Sequence, residues 1–571
     1  MHQDLDSPDS LLSLRDLTFT YREADTPALR ALSLDLHAGD LLVVMGASGA
    51  GKSTFCRCLN GIIPHFLKGT LDGTALVAGR DTRDMPVSQC ARHVGLVFQD
   101  FESQLFATNV ELETAFGAEN LGLPREQIAQ RVRDLLSLVG LSHLARRRPA
   151  SLSGGEKQRL AIAASLAASP AVLVLDEATS DLDPVGKTSV FQLARELAAD
   201  PAGRAVVFAH HDAEEAVGAT RVLLLSHGKP LALGSPGQVL ADVDLLSNNG
   251  VAPLPVAAAF AALGLEDRPL DEEAAVHHLL SQGMRIRAEA LSRWADRDAS
   301  HASAYGEPVI EVRELTYAYD PGEPAVCNIA LSIRRGEYIA ILGQNGSGKT
   351  TLLKHFNGLL RSSRGDVLIA GESTRGQSLR ALAARVGYVF QNPDSQIFAP
   401  TVFDEVAFGP RNFGLDDGEV RDRVRESLAA VGFTGRETED PFSLTKGERQ
   451  RVAVASVLAG RPDVLIFDEP TTGLDDPESR AMMALIDDLN RRGHTIVLVT
   501  HAMWLAAEYA HRVIVMQEGR ILLDAPTRSA FSQGDLLRRA ALIPPQVVRL
   551  SRRLGGTALT LSELVEALRP T

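Results

Sequence analysis

The string GxxxxGK[ST] occurs twice in this chain, and each copy heads the same series of shorter motifs in the same order. The first copy is GASGAGKS, Gly46 to Ser53, followed by VFQ ending at Gln99, LSGGE from Leu152 to Glu156, VLVLDE ending at Glu177, and a histidine at His211. The second is GQNGSGKT, Gly343 to Thr350, followed by VFQ ending at Gln391, LTKGE from Leu444 to Glu448, VLIFDE ending at Glu469, and His501. The offset between copies stays near about 290 residues throughout, so the chain must fold as two copies of one unit. One place breaks the symmetry: Ser153-Gly154-Gly155 in the first copy becomes Thr445-Lys446-Gly447 in the second. The two units are therefore expected to be unequal.

A chain of 571 residues is too long for a single core. Short apolar strands alternate with Ala- and Leu-rich helices from about Leu12 to Leu245 and again from about Val309 to Asp535, the pattern of α/β units. The apolar runs before Asp176 and Asp468 read as central parallel strands buried on both faces. The expected division is 1–248 and 308–535 for the α/β domains, 249–307 for a helical appendix with linker, and 536–571 for a C-terminal helical appendix. The segment APLPVAAAFAALGLEDRPLDEEAAVHHLL resembles the chain's ending, IPPQVVRLSRRLGGTALTLSELVEAL, in proline placement and in a helix, Gly turn, helix order. Apolar residues such as Val547, Leu550 and Leu554 need a partner surface. The stretch from Trp294 to Gly306, rich in Ala, Ser, Asp and His, reads as the flexible joint.

A formal net charge of -14 opposes broad binding to nucleic acid. Cys56, Cys58, Cys90 and Cys327 fit neither a disulfide framework nor a zinc spacing, so reduced thiols are expected. The start, MHQDLDSPDS, lacks the basic and apolar regions of a signal peptide, and no apolar run reaches the roughly 18 to 20 residues needed to cross a bilayer. The chain is expected to be soluble by itself, with any membrane role exercised through a partner.

Each GxxxxGK[ST] follows an apolar strand, LLVVM or YIAIL, and precedes a helix. In that setting backbone N–H groups of Gly46, Ala47, Ser48, Gly49, Ala50 and Gly51, and of Gly343, Gln344, Asn345, Gly346, Ser347 and Gly348, wrap nucleotide phosphates at a helix N-terminus. Lys52 and Lys349 reach the β- and γ-phosphates; Ser53 and Thr350 are candidate Mg²⁺ ligands, with Thr54 and Thr351 beside them. Asp176 and Asp468 close buried strands, where a carboxylate holds the metal's water shell, and Glu177 and Glu469 are placed to polarise attacking water.

Together these motifs resemble the ATP-binding cassette family, over nearly all of both α/β units, and LSGGEKQRLAIAASLAA is the most specific match. The resemblance implies a fold of two P-loop ATP-binding cassette domains in tandem, each followed by a small helical appendix, and a Mg-dependent ATPase coupled to transport. It also implies ATP and Mg²⁺ as ligands, Tyr21 and Tyr319 as adenine-stacking aromatics, and Gln99 and Gln391 as glutamines that contact Mg²⁺ and signal to a transporter. His211 and His501 would be switch histidines. The two cassettes would pair intramolecularly, head to tail. One site would join Lys349, Thr350, Asp468, Glu469 and His501 to Ser153, Gly154 and Gly155. The other would join Lys52, Ser53, Asp176, Glu177 and His211 to Thr445, Lys446 and Gly447.

A narrower resemblance follows each glutamine, in QDFESQLFATNVELETAFGAENLGL and QNPDSQIFAPTVFDEVAFGPRNFGL. These strings are similar to the ATPases of energy-coupling factor transporters, prokaryotic importers of vitamins and transition-metal ions. That family implies integral-membrane scaffold and substrate-specificity subunits as partners, a peripheral place on the cytoplasmic face of the cell membrane, and no nucleic-acid partner. It also implies a groove near Phe106 and Phe398 for a coupling helix; the neighbouring Asp100, Glu102 and Asp394 are expected to pair with basic side chains on that helix. Other readings are a double-cassette sugar importer, opposed by the Gln-Xaa-Xaa-Xaa-Ser-Gln strings, and a tandem-cassette translation factor. The latter is opposed by a connector that lacks Lys and is net acidic. A cassette protein of DNA repair would carry long coiled-coil or zinc insertions, and neither is present.

Overall fold

The apolar runs read as buried strands do form the centre of each cassette. The computed structural model describes residues 10–179, 182–201, 203–320 and 322–569. Packing divides the chain into two compact units, one reaching to Ala261 and including Leu265–Leu270, the other holding Ala262–Gly264 and Asp271 onward. In the first unit a six-stranded sheet runs in the order Lys229–Gly234, Arg221–Ser226, Leu41–Met45, Ala205–Ala209, Val172–Asp176, Val94–Val97. All its pairings are parallel except the last hairpin, Arg221–Ser226 with Lys229–Gly234. A four-stranded antiparallel sheet, Leu29–Leu36, Leu12–Tyr21, Gly69–Val77 and Arg80–Asp81, adds a second layer. The second unit repeats both sheets with the same strand order around Tyr338–Leu342, Thr495–Val499 and Val464–Asp468.

Register places the chemistry. Asp176 lies beside Ala209 and Val44 beside the same residue, so three neighbouring strands end together. The loop after Met45 carries the phosphate-binding string, Asp176 is followed by Glu177, and Ala209 is followed by His210 and His211. Ligand sites of open parallel sheets form at such carboxyl ends. The strands are held by burial: Leu41–Met45, Val172–Asp176 and Ala205–Ala209 are buried along their whole lengths. Each enclosed Val or Leu contributes about 1.5–3 kcal/mol.

The helical appendices follow the expected order. Helix Pro255–Ala262 lends Ala257 to the core of the first cassette, and helix Gln546–Arg553 lends Val548 to that of the second. Val547, Leu550 and Leu554 are buried. The stretch expected as a flexible joint is different: it is the helix Ala288–Ser303, docked within the second unit. Trp294 is buried and lies under the guanidinium of Arg528, 4.8 Å from the ring centroid. Arg528 donates to Asp298 at 2.8 Å and, through both terminal nitrogens, to Glu563 at 2.9 Å. Arg297 joins the same carboxylate. Nearby, Arg549 pairs with Glu272 at 2.5 Å, and Ile286 N–H donates to Leu554 C=O at 3.1 Å. Local composition reads as a joint; a contact formed across 230 residues makes it a helix.

Glu563 is nearly enclosed and holds Arg528 in a forked geometry, so removing it leaves a buried cation with Asp298 as its one remaining carboxylate partner of the pair described. Glu563→Ala is expected to cost about 3 kcal/mol in urea unfolding followed by circular dichroism. Arg528→Lys is not expected to recover the loss, since an ammonium cannot bind both oxygens in a fork.

Candidate functional site

Both phosphate loops end in a left-handed glycine that caps the following helix. Gly51 has φ 105° and Gly348 φ 96°, and neither helix receives a side-chain cap, so the first-turn N–H groups are left for a ligand. A Cβ at Gly51 would lie 2.5 Å from Ala28 C=O, and one at Gly348 would collide with Ala325 C=O. Only glycine serves there.

Lys52 is buried and its ammonium donates to the Gly46 and Ala47 carbonyls at 2.9 and 3.1 Å, 3.1 Å from Glu177 Oε1. Lys349 does the same with Gly343 and Gln344 at 2.7 and 2.9 Å. The lysines thus stand folded over the loops that anions would occupy. Tyr21 hydroxyl lies 3.0 Å from Thr54 Oγ1 and Tyr319 hydroxyl 3.3 Å from Thr351 Oγ1, which puts both aromatic rings beside the phosphate-loop helices.

The acidic pairs sit across from these loops. Ser53 Oγ donates to Asp176 Oδ1 at 2.9 Å, and Gln99 Nε2 donates to Glu177 Oε2 at 3.1 Å. In the second cassette Asp468 instead accepts from the phenol of Tyr388 at 2.6 Å, while His501 Nε2 lies 2.9 Å from Glu469 Oε1. Thr350 and Gln391 are exposed. Glu177 and Glu469 adopt φ of 48° and 52°, a region costly for a side chain with Cβ. Each is held by its own N–H, which donates to Ala209 C=O at 3.0 Å or Val499 C=O at 2.9 Å. Strain at the same strand-end glutamate in both copies aims the carboxylate out of the sheet.

Burial raises the pKa of Asp176 and Asp468, opposed by the hydroxyl of Ser53 in one and of Tyr388 in the other. Burial also lowers that of His211, with Glu177 pulling the other way, and drives His210 well down. A divalent cation would offset the desolvation of the aspartates. The donors around them, hydroxyl, carboxylate and amide oxygens, are the hard ligands that Mg²⁺ takes. Ser53 and Asp176, in direct contact, therefore fit such an ion, with Gln99 held against Glu177; Thr350, Asp468 and Gln391 carry the same donor types.

The LSGGE and LTKGE strings both open helices, Gly154–Leu166 and Lys446–Leu458, through a capping box. Ser153 caps Glu156 N–H and donates to Glu156 Oε2 at 2.8 Å; Thr445 N–H donates to Glu448 Oε2 at 2.9 Å. Gly154 and Gly155 stand at the helix start as expected. Lys446 reaches across its own cassette, and a Cβ at Gly473 would collide with its Nζ. Gly447 closes against Glu478, which a Cβ would meet at 2.9 Å.

The region after each glutamine is built alike. Gln104 accepts from Phe98 N–H and donates to Leu96 C=O, and Gln396 repeats the first contact with Phe390 N–H. Buried Glu113 accepts from Phe106 and Ala107 N–H at 2.9 and 2.6 Å; Glu405 accepts from Phe398 and Ala399 N–H at 3.0 and 2.9 Å. These carboxylates hold Phe106 and Phe398 outward at 63% and 59% exposure. Each packs edge-on to a second exposed ring, Phe116 or Phe408, with centroids 4.7 Å apart. The acidic residues expected to await a partner are already used: Glu102 pairs with Lys157 at 2.9 Å and Asp394 with Arg449 at 2.7 Å, while Asp100 accepts from Ser103 N–H. Tyr388, Glu113 and Glu405 escaped sequence reasoning. The one available signal was the recurrence of Glu at the same distance after each Gln-Xaa-Xaa-Xaa-Ser-Gln.

The family described as ABC transporter matches residues 29–180 and 326–472. A relative from Caldanaerobacter subterraneus subsp. tengcongensis, named as an ABC transporter ATP-binding protein, is 47% identical over 98% of this chain and 99% of its own length. Another of that description, from Methanosarcina acetivorans, is 38% identical over 97% of this chain and 93% of its own. The solved structure of cbiO1 from Clostridium perfringens, part of the ABC transporter complex cbiONQ, aligns at 36% identity over 43% of this chain and 99% of that one, with a TM-score of 0.39. With two phosphate loops, two strand-end Asp-Glu pairs, the family match in both halves and relatives matched along nearly its whole length, the chain belongs to the ABC transporter family, as a double-cassette ATP-binding subunit that hydrolyses ATP.

Proposed function

We propose that this subunit powers uptake of a small solute, a vitamin, vitamin precursor or metal ion, through an energy-coupling factor transporter at the cytoplasmic face of the cell membrane. The observation that carries the reading is the duplicated pair of exposed phenylalanines, Phe106 with Phe116 and Phe398 with Phe408, each fixed by a buried glutamate. Adjacent exposed aromatics held rigidly beside a catalytic loop form an anchor for an apolar helix at low entropic cost. Phe106 and Phe398 stand seven residues beyond Gln99 and Gln391, so a helix seated there would sense the glutamine. Among the described residues no helix is long and apolar enough to cross a membrane, so the pathway would belong to integral-membrane scaffold and substrate-specificity subunits.

In the hydrolytic step Lys52 and Lys349 leave the loop carbonyls for the β- and γ-phosphates, and the first-turn N–H groups bind phosphate oxygens. Bound Mg²⁺ would supply charge neutralisation at the phosphates. Glu177 and Glu469 polarise water, and His211 and His501 donate toward the γ-phosphate. Tyr21 and Tyr319 stack on adenine. Glu469 is read as the more active of the two: His501 already stands against it, whereas Lys52 and Gln99 engage Glu177. The Lys446 departure from Ser-Gly-Gly supports the same inequality.

Glu469→Gln is expected to lower ATP turnover by about 100-fold or more, whereas Glu177→Gln leaves a substantial fraction. Equal losses in steady-state phosphate release would remove the asymmetry. Phe106→Ala with Phe398→Ala is expected to weaken assembly with the membrane scaffold by about 30-fold, at about 2 kcal/mol, and to leave Mg-ATP binding unchanged. Extraction in mild detergent should bring integral-membrane proteins down with the chain. Association with ribosomes, and with no membrane protein, would sink the importer reading.

A further inference from the structure

The first cassette has a cluster that the second lacks. His210, Asp212 and Glu215 place one imidazole nitrogen and two carboxylate oxygens within 4.8 Å of one another. His210 is fully buried, and neither of its ring nitrogens has a hydrogen-bond partner among the described residues. Its Nε2 faces Glu215 Oε2 at 3.2 Å, and that oxygen also lacks a hydrogen bond. Asp212 uses Oδ1 to cap Glu214 N–H at 2.9 Å, which leaves its other oxygen for a ligand. At the matching places in the second cassette stand Thr500, Ala502 and Leu505, none of which offers an imidazole or a carboxylate.

We propose that His210, Asp212 and Glu215 form a binding site for one divalent transition-metal ion of the Zn²⁺ type, separate from the Mg-ATP site of the same cassette. Two ligands of a tetrahedral zinc centre stand about 3.3 Å apart, given metal–ligand bonds near about 2.0–2.1 Å. The His210–Glu215 separation meets that spacing, and Asp212 closes the remainder by side-chain rotation. A nitrogen with two oxygens suits a borderline cation, whereas Mg²⁺ prefers oxygen alone. Around Glu215 the carboxylates of Asp212 and Glu214 outnumber the one lysine, Lys187. His210 Nε2 meets Glu215 Oε2 at 3.2 Å without a hydrogen bond between them, and a metal bond would satisfy both buried atoms. An ion held here ties the end of strand Ala205–Ala209 to the helix Ala213–Ala216, with His211 between them. Occupancy therefore restrains the switch histidine of the first cassette alone.

The test is titration of the metal-stripped full chain with Zn²⁺ against a chromophoric chelator, without nucleotide, together with Co²⁺ absorption as a geometric probe. One Zn²⁺ per chain is expected, with visible d–d bands when Co²⁺ replaces it. His210→Thr, which installs the residue of the second cassette, and the isosteric Glu215→Gln are each expected to weaken Zn²⁺ by more than about 100-fold. Both are also expected to abolish the Co²⁺ bands. Circular dichroism and Mg-ATP binding establish that the variants are folded. No stoichiometric uptake by the wild-type chain, or unchanged affinity in either variant, overturns the site.

Discussion

Everything at the two sites depends on parallel pairing of three buried strands. Because Leu41–Met45 lies against Ala205–Ala209, and that strand against Val172–Asp176, a phosphate loop, an Asp-Glu pair and a histidine converge at one sheet edge, where Ser53 and Lys52 then meet Asp176 and Glu177. Apolar burial fixes the register, and a shift of one residue would turn each side chain to the other face. The strand-end glutamates then adopt positive φ against a steric cost, held by N–H bonds to the neighbouring strand. The sheet thus supplies the rigidity that lets an unfavourable backbone persist at the ends of two buried strands.

The same frame carries two different sets of partners. In the first cassette Ser53 holds Asp176 and Lys52 holds Glu177; in the second Tyr388 holds Asp468 and His501 holds Glu469. Leu96 stands where the second cassette has Tyr388, a change at one strand position that redirects a buried carboxylate. Lys446, an oddity in the sequence, lies over Gly473, a place where any side chain would collide with it. Duplication therefore preserved the scaffold while single residues changed the electrostatics of each site.

Much of this was legible in the residues because the motifs are local. Gly51, Lys52 and Ser53 lie within one turn of a helix, and VLVLD and VLIFD announce buried strands by their apolar continuity. Features set by distant contacts were not legible. The Trp294 to Gly306 stretch has the composition of a joint, yet Arg528, Asp298 and Glu563 make most of it a helix. Glu113 and Glu405 look like surface residues of amphipathic helices, and only the fold brings the N–H groups after Leu105 and Ile397 to them. Asp394 and Glu102 read as free acids because their partners, Arg449 and Lys157, lie 55 residues away in each copy. His210 was overshadowed by its neighbour, since a pair of adjacent histidines does not reveal which ring is buried.

The central claim is that each cassette binds its own nucleotide through its own lysine, hydroxyl and carboxylates. Equilibrium binding of Mg-ATP to the full chain, with Glu177→Gln and Glu469→Gln combined to prevent turnover, measures this directly. The expected stoichiometry is two ATP per chain, with Lys52→Ala and Lys349→Ala each removing one. A single ATP per chain, or loss of both sites from either lysine substitution, would contradict it.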